Sequence, residues 1–296
     1  MGISRAEERT RSKISRDILD GVGSGVVDSM RLRHIGRASL VLIPFLATLL
    51  AQRGFKEYPY EEVNPTEVPP GANEKTEWAF ARLRYPSGRY ARWSRHGSWP
   101  TDFPKADRQF VQGVRRLTRI HARSAEQVVD LDLDDDEIYY WPWVYAVEVG
   151  HWDLTDLQCK KIREYLTRGG FLMVDDYHGD REWEAFIASM SRIFPDRPIV
   201  EIENREAIFH VLYDLDDKIQ VPGTAALRRG VTYEYGGIIP HWRGIFDDKG
   251  RIMVAMCFNQ DNGDAWEWAD SPHYPEKAAS QAYRIGINYI IYAMTH

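Results

Sequence analysis

The sequence has very little cysteine: Cys159 and Cys257 are the only two among 296 residues. Two thiols are too few for a metal cluster, and no CxxC or HExxH spacing supplies further ligands. Each is interpreted as a buried structural thiol, although an oxidising compartment would allow them to pair. The sequence therefore predicts no resident cofactor and no dedicated metal site.

An excess of positive charge is also absent. The chain carries 38 Lys and Arg against 44 Asp and Glu, which gives a formal net charge of −6. Nucleic-acid-binding proteins need a basic surface that meets the phosphate backbone, and no basic stripe with interleaved aromatic residues occurs here. The composition therefore argues against nucleic acid as a partner.

Long hydrophobic runs are missing as well, because a membrane-spanning helix needs about 18 to 20 apolar residues. The longest run, residues 38–51, is shorter, and it follows a basic flank at residues 31–37. This pattern predicts a cleaved secretory signal that starts at Met30, an N-terminal membrane anchor or, as a third alternative, a buried core helix. We expect an exported or anchored, periplasmic or otherwise extracytoplasmic protein that contacts the membrane only through residues 38–51.

Four segments are predicted along the chain. Residues 1–29 form a polar extension, 30–52 the signal or anchor, 53–77 a proline-rich linker and 78–296 a folded α/β domain. The overall composition, 44% hydrophobic and 12% aromatic, allows that domain to bury a large core.

One stretch of the domain organises the rest. Residues 144–149 have the composition of a buried strand, and Thr155 with Gln158 forms a capping box that starts a helix. The helix is expected to bury an apolar face that contains Leu157 and Ile162. Two glycines at 169–170 end that helix, and the apolar strand 171–174 follows. This is a right-handed βαβ unit, so its two strands should be adjacent and parallel. It predicts a three-layer α/β sandwich with a mainly parallel, flavodoxin-like sheet.

The remaining elements are predicted from apolar periodicity and turn chemistry. They are a first strand near residue 78, helices at 106–120, 183–193 and 274–293, strands at 128–131 and 199–202, and a C-terminal β-hairpin whose strands flank the turn 247–250.

Four motifs carry a family resemblance: WPTDFPKAD from Trp99, GHWDLTDLQ…YLTRGGFLMVDD from Gly150, FNQDNGDAWEW from Phe258 and RIGINYIIYAM from Arg284. Together they resemble the bacterial domain-of-unknown-function family 4159 over residues 78–296. The resemblance implies a fold like that of the class I glutamine amidotransferases and a cell-envelope context, and it implies no reaction. Those amidotransferases place a nucleophilic cysteine after a central strand. Here Asp175 and Asp176 follow that strand, which excludes glutamine hydrolysis by a cysteine triad.

Ligands of open parallel sheets bind at the carboxyl ends of the strands, and unusual polar residues follow several strands here. The candidate catalytic residues are Asp175, Asp176, His178 and His151. The candidate ligand-binding residues are Trp99, Asp102, Asp107, Trp152, Asp261, Asp264 and Trp266. Asp102 is expected to share one concavity with the catalytic candidates, with Trp99 and Trp152 as its walls.

Structural alternatives stay open for several of these residues. Asp175 and Asp176 could cap a helix or bond the backbone of a turn, and Asp107 could be a charge in a first helical turn. Asp261 and Asp264 could belong to an acidic turn or supply oxygen ligands. Trp266 could stack on a sugar ring or fasten the last helix to the sheet.

Two functions compete at this point. The first is a non-catalytic envelope domain that binds a partner protein or a small ligand, because the cysteine nucleophile is missing. The second is a hydrolase that uses Asp and His on a small or carbohydrate-like substrate, with a divalent cation as an optional helper.

Overall fold

The computed structural model describes residues 53–56, 67–88, 97–131 and 136–296. The predicted polar extension at 1–29 and the predicted signal or anchor at 30–52 lie outside these ranges. Within them, no helix combines the length and the apolar character that crossing a membrane requires.

The described part of the chain contains one seven-stranded sheet. Its strand order is β2-β1-β3-β4-β7-β6-β5. The strands are β1 (Ala81–Arg84), β2 (Gln127–Asp130), β3 (Trp143–Val147), β4 (Phe171–Asp175), β5 (Val200–Glu201), β6 (His241–Phe246) and β7 (Ile252–Phe258).

The first five positions of the sheet are parallel, and β6 and β5 extend it in antiparallel fashion. The parallel strands follow the 2-1-3-4-5 order of flavodoxin-like sheets, counted along the chain. β3 and β4 pair in parallel from Trp143 with Phe171 to Val147 with Asp175. The predicted βαβ unit is therefore confirmed, and so is the hairpin made by β6 and β7.

Helices cover both faces of the sheet and complete a three-layer sandwich. They are α1 (Lys105–Leu117), α2 (Asp156–Thr167), α3 (Gly179–Ile193), α4 (Thr224–Arg228), α5 (Asn262–Glu267) and α6 (Glu276–Thr295). Helices α2 and α3 pack on the face that contains Val144 and Leu172, while α1, α5 and α6 pack on the face that contains Tyr145 and Met173. Both faces of the central strands are buried, which explains their unbroken apolar sequences.

Helix α2 begins as predicted but faces the core differently. The Thr155 hydroxyl accepts a hydrogen bond from the Gln158 amide, and the reciprocal bond of the capping box is present. Leu157, expected on the buried face, is 61% exposed. It lies five residues before buried Ile162, which is about 140° around the helix, so it points away from the sheet.

The two glycines after α2 have different tasks. Gly169 has φ of 111° and ends the helix, as predicted. Gly170 is instead needed for space, because a Cβ there would overlap the Tyr165 ring. The Tyr165 hydroxyl donates to the carbonyls of Trp141 and Phe171, which ties the end of α2 to the starts of β3 and β4.

Other boundaries differ from the prediction. Helix α3 starts at Gly179, four residues before the predicted start. Its first residue, Gly179, has a positive φ of 67°. A glycine with this backbone conformation is typical of a turn. The predicted strand 199–202 is reduced to the two exposed residues of β5 at the sheet edge.

The segment that the sequence assigns to a linker contacts the domain. The carbonyl of Glu67 accepts from Arg108, and the carbonyl of Pro70 accepts from the Ser124 hydroxyl at 2.8 Å. Arg108 itself forms a buried ion pair with Glu126. Residues just before the sheet are thus fastened to α1 and to the entry of β2.

Candidate functional site

Three adjacent parallel strands end in a polar residue with left-handed backbone. Glu148 follows β3 with φ of 52°, Asp176 follows β4 with φ of 53°, and Asn259 follows β7 with φ of 60°. The described part of the chain has two more non-glycine residues with positive φ, Asp102 and Tyr235. Each such residue costs about 1 to 3 kcal/mol, and such strain concentrates at functional sites. The strain makes the carboxyl edge of the sheet the candidate site.

Asp176 and His178 form the first carboxylate–histidine pair of this edge. His178 Nε2 lies 3.0 Å from Asp176 Oδ1, and both side chains are buried. Burial lowers the pKa of His178 to about 4, so its imidazole is neutral at pH 7. Burial, followed by repulsion from Glu148 and Asp102, raises the pKa of Asp176 well above its ordinary value.

Glu148 and His151 form a second pair, joined to the first by Glu182 of α3. His151 Nδ1 lies 2.7 Å from Glu148 Oε2, and His151 Nε2 lies 3.6 Å from Glu182 Oε1. The other oxygen of Glu182 accepts from the His178 amide at 2.7 Å. The Glu148 carboxylate, which accepts from the imidazole, raises the pKa of His151, and burial raises the pKa of Glu182 to about 7. Gly150 allows this approach, because a Cβ there would overlap the Glu182 side chain.

Asp175, one residue before Asp176, has a structural task. Its Oδ2 accepts from the Tyr145 hydroxyl and from the amides of Asn262 and Gly263 at 3.0, 2.8 and 3.1 Å. Its Oδ1 accepts from the Asn262 side chain at 2.7 Å. Burial raises its pKa to about 6, against the opposing effect of these hydrogen bonds. The capping alternative therefore describes Asp175, which connects β4 to the start of α5.

Asp102, Asp261 and Asp264 bring one oxygen each within 4.8 Å of one another. Asp261 caps α5 by accepting from the Asp264 amide, and Asp264 accepts from the amide of Thr224. Asp102 Oδ2 is buried without a hydrogen-bond partner. Burial, followed by repulsion from neighbouring acids, raises the pKa of Asp102 and of Asp261 well above the ordinary value. Carboxylate oxygens in this arrangement are the ligands that Mg²⁺ and Ca²⁺ prefer.

A comparison with protein families places this geometry in context. The sequence model of the family described as "Domain of unknown function (DUF4159)" matches residues 79–294, which includes the whole sheet and every residue of the site. The chain belongs to this family. A search of the curated proteins finds no match to it.

Some predicted site residues of the DUF4159 domain lie in its core instead. Asp107 is fully buried and holds the Arg82 guanidinium with both carboxylate oxygens. Trp266 is fully buried and stacks on Phe110 with ring centroids 4.3 Å apart, so it offers no face to a sugar ring. It fastens the last helices to the sheet, which is the packing role that the sequence left open.

The two tryptophans expected as walls of the site are also buried. Trp152 stacks on Phe186 of α3 with ring centroids 5.3 Å apart, and Trp99 packs against Phe103. Each is close in the chain to a predicted site residue: Trp152 follows His151 directly, and Trp99 comes three residues before Asp102. A direct contact with ligand stays a prediction for these two residues.

Sequence reasoning missed Glu148 and Glu182 in the DUF4159 domain. Glu148 is the only charged residue in the stretch 144–149, and that isolated charge at a strand end was the available signal. Glu182 comes four residues after His178, a spacing that lets a helical carboxylate return to the backbone amide at the start of its helix. Neither signal separates a site residue from an ordinary helix charge without the fold.

Proposed function

We propose that this DUF4159 domain is a hydrolase that works by general acid–base catalysis at the carboxyl edge of its sheet. One observation carries the proposal: two carboxylate–histidine pairs on neighbouring strands are joined through Glu182. A carboxyl group whose pKa is raised towards the working pH, next to an imidazole, is a usual general base of an enzyme. Glu182, with its pKa raised to about 7, is such a group, and its imidazole neighbour is His151.

The roles follow from these environments. Glu182 as carboxylate removes one proton from a water molecule, whose oxygen forms a bond to the electrophilic carbon of the substrate. The bond to the leaving group breaks as that group takes a proton from the His151 imidazolium. The proton on Glu182 then passes to His151 across 3.6 Å, which restores both residues. In its protonated form, which burial favours by raising its pKa, Asp176 donates a hydrogen bond to the developing oxyanion.

A thiol nucleophile does not fit this domain. Cys159 and Cys257 are both buried, and burial raises the pKa of each thiol. Neither follows a strained strand end, whereas Glu148 and Asp176 do. This distribution supports carboxylate chemistry over a cysteine mechanism.

We further propose that Asp102, Asp261 and Asp264 hold a divalent cation that neutralises this acidic edge. The cluster supports a cation because repulsion from neighbouring acids contributes to the raised pKa of Asp102 and of Asp261, and because Asp102 Oδ2 has no partner. Export or anchoring in the cell envelope stays a second part of the proposal, supported by the basic flank and the apolar run at 38–51.

A non-catalytic binding module is the second candidate. Its support is that Asp175, Asp261 and Asp264 each cap a helix, so a part of the acidic cluster has a structural purpose. A binding module needs no titrating pair, whereas a hydrolase needs Glu182 ionised and His151 protonated.

The test is a hydrolysis screen of the full chain against ester and amide chromogenic substrates. The expected pH profile is bell-shaped and rises as Glu182 ionises near pH 7. Glu182→Gln should lower kcat by about 100-fold or more, since it removes the base. Glu184→Gln, an exposed site on the same helix, is the matched control. A Glu182→Gln protein as active as this control overturns the proposed mechanism, and a complete lack of turnover favours the binding module.

A further inference from the structure

An exposed apolar lip borders the acidic site. Tyr235, Ile238 and Ile239 have 73%, 62% and 65% of their surface exposed. Three of the eight large hydrophobic side chains that are exposed in the described ranges thus fall within five residues of chain. Exposed apolar side chains are common singly, but a cluster next to a polar site marks an interaction surface.

The backbone of this lip is held firmly against the strand ends. Asn259 Oδ1 accepts from the Gly179 amide at 2.9 Å, and its Nδ2 donates to the Ile239 carbonyl at 2.7 Å. Gln220 donates to the Gly237 carbonyl at 2.8 Å. Gly237 has no space for a Cβ, which would overlap the Asn259 side chain. The lip therefore presents its side chains in a fixed position rather than as a loose loop, which lowers the entropy cost of binding.

The aromatic residue of the lip lies against the start of α3, the helix that contains Glu182, because a Cβ on Gly179 would overlap the Tyr235 carbonyl. Burial and then repulsion from Glu182, Glu148 and Glu234 raise the pKa of the Tyr235 hydroxyl, and Asp176 contributes as well. An aromatic face beside several carboxylates is the arrangement that binds an organic cation, through cation–π attraction and ion pairing. The same carboxylates would repel an acidic ligand.

We propose that the lip and the adjacent carboxylates bind an extended peptide segment in which lysine or arginine is flanked by apolar residues. The basic group lies over the Tyr235 ring at the border of the acidic site, and the flanking side chains cover Ile238 and Ile239. A small amine would leave both isoleucines in water, so the apolar area favours a peptide. This inference rests on the proposed function, because it names the substrate class of the same site.

The test is fluorescence anisotropy with the full chain and three labelled peptides of one length. The first has a lysine flanked by leucines, the second has acetyl-lysine at that position, and the third has glutamate. The lysine peptide should bind at least about tenfold more tightly than either of the others, and its affinity should fall as salt rises. Equal binding of the acetylated peptide overturns the inference.

Variants locate the surface. Tyr235→Ala and Ile238→Ser should each weaken binding of the lysine peptide by about tenfold, and Tyr235→Phe should keep it because the ring remains. Leu157→Ser, an equally exposed leucine on α2, is the control and should bind like the natural protein. The inference is overturned if the lip variants bind the lysine peptide as tightly as the control does. It is also overturned if cadaverine competes as strongly as the unlabelled peptide.

Binding and turnover are read separately in these experiments. Binding of the lysine peptide by a chain that turns over none of the substrates in the hydrolysis screen would refute the hydrolase and leave the peptide-binding lip standing. Turnover of uncharged substrates that is insensitive to Tyr235→Ala would refute this inference and leave the hydrolase standing.

Discussion

Replacing Glu182 by Gln should remove activity and make the domain more stable than the natural protein. This difference in stability should grow as the pH rises. In the folded protein burial raises the pKa of this carboxyl from 4.5 to about 7. Between these two values the unfolded chain has released a proton that the folded chain still holds. Stability is therefore greatest at low pH and is lost as the pH rises through this window.

The magnitude follows from the shift. A change of about 2.5 pKa units corresponds to about 3 kcal/mol, since each unit is worth about 1.4 kcal/mol. Part of this loss is already present at pH 5, so about 2 to 3 kcal/mol should appear between pH 5 and pH 8. Glutamine does not titrate, and its side-chain oxygen can still accept from the His178 amide. The free energy of unfolding of Glu182→Gln should thus gain about 2 to 3 kcal/mol over that of the natural protein across this range.

Urea unfolding at pH 5, 6, 7 and 8, followed by tryptophan fluorescence, measures this difference. Glu184→Gln on the exposed side of α3 should show no such gain. A gain in stability coupled to lost activity is typical of a residue retained for function. If the unfolding free energies of Glu182→Gln and the natural protein stay parallel from pH 5 to pH 8, the assignment of a buried, titrating base is refuted.

Three further outcomes are expected. Asp176→Ala should lower kcat by about 100-fold, whereas Asp176→Asn should keep much of the activity, because its amide can still donate to an oxyanion; steady-state kinetics compares the two. Mg²⁺, Mn²⁺ or Ca²⁺ at about 100 times its Kd should stabilise the full chain by about 2.7 kcal/mol in thermal unfolding; Asp102→Asn should abolish this gain, and exposed Asp216→Asn should retain it. Leu157→Ser should change the free energy of unfolding by less than about 0.5 kcal/mol, whereas Leu166→Ala in the core should cost about 2 to 5 kcal/mol in urea.

Local signals in the sequence determined the central architecture. The capping box at Thr155, the glycine that ends α2 and the apolar strand after it depend on residues within a few positions of one another. The turn between β6 and β7 is equally local. Such signals specify elements because helix caps and tight turns satisfy backbone groups of the same segment. The handedness of βαβ units then leaves one arrangement for β3 and β4.

Only the tertiary structure decided the hydrogen-bond partners of each acid. Asp175 and Asp176 are adjacent in the chain, yet Asp175 bonds the backbone of Asn262, 87 residues away, and Asp176 bonds His178. The difference arises because Asp175 is the last residue of a strand and Asp176 adopts positive φ, which turns its side chain in another direction.

The same limit applies to the rest of the site. Glu182 reaches the site only because Gly150, on a different strand end, leaves room for it. The apolar lip is held by Asn259, 20 residues beyond the carbonyl of Ile239 that it bonds. A sequence pattern reports periodicity and local bonding, whereas burial and repulsion among carboxylates depend on which segments meet in space. The residue types at the strand ends were therefore predictable, and their pKa values and partners were not.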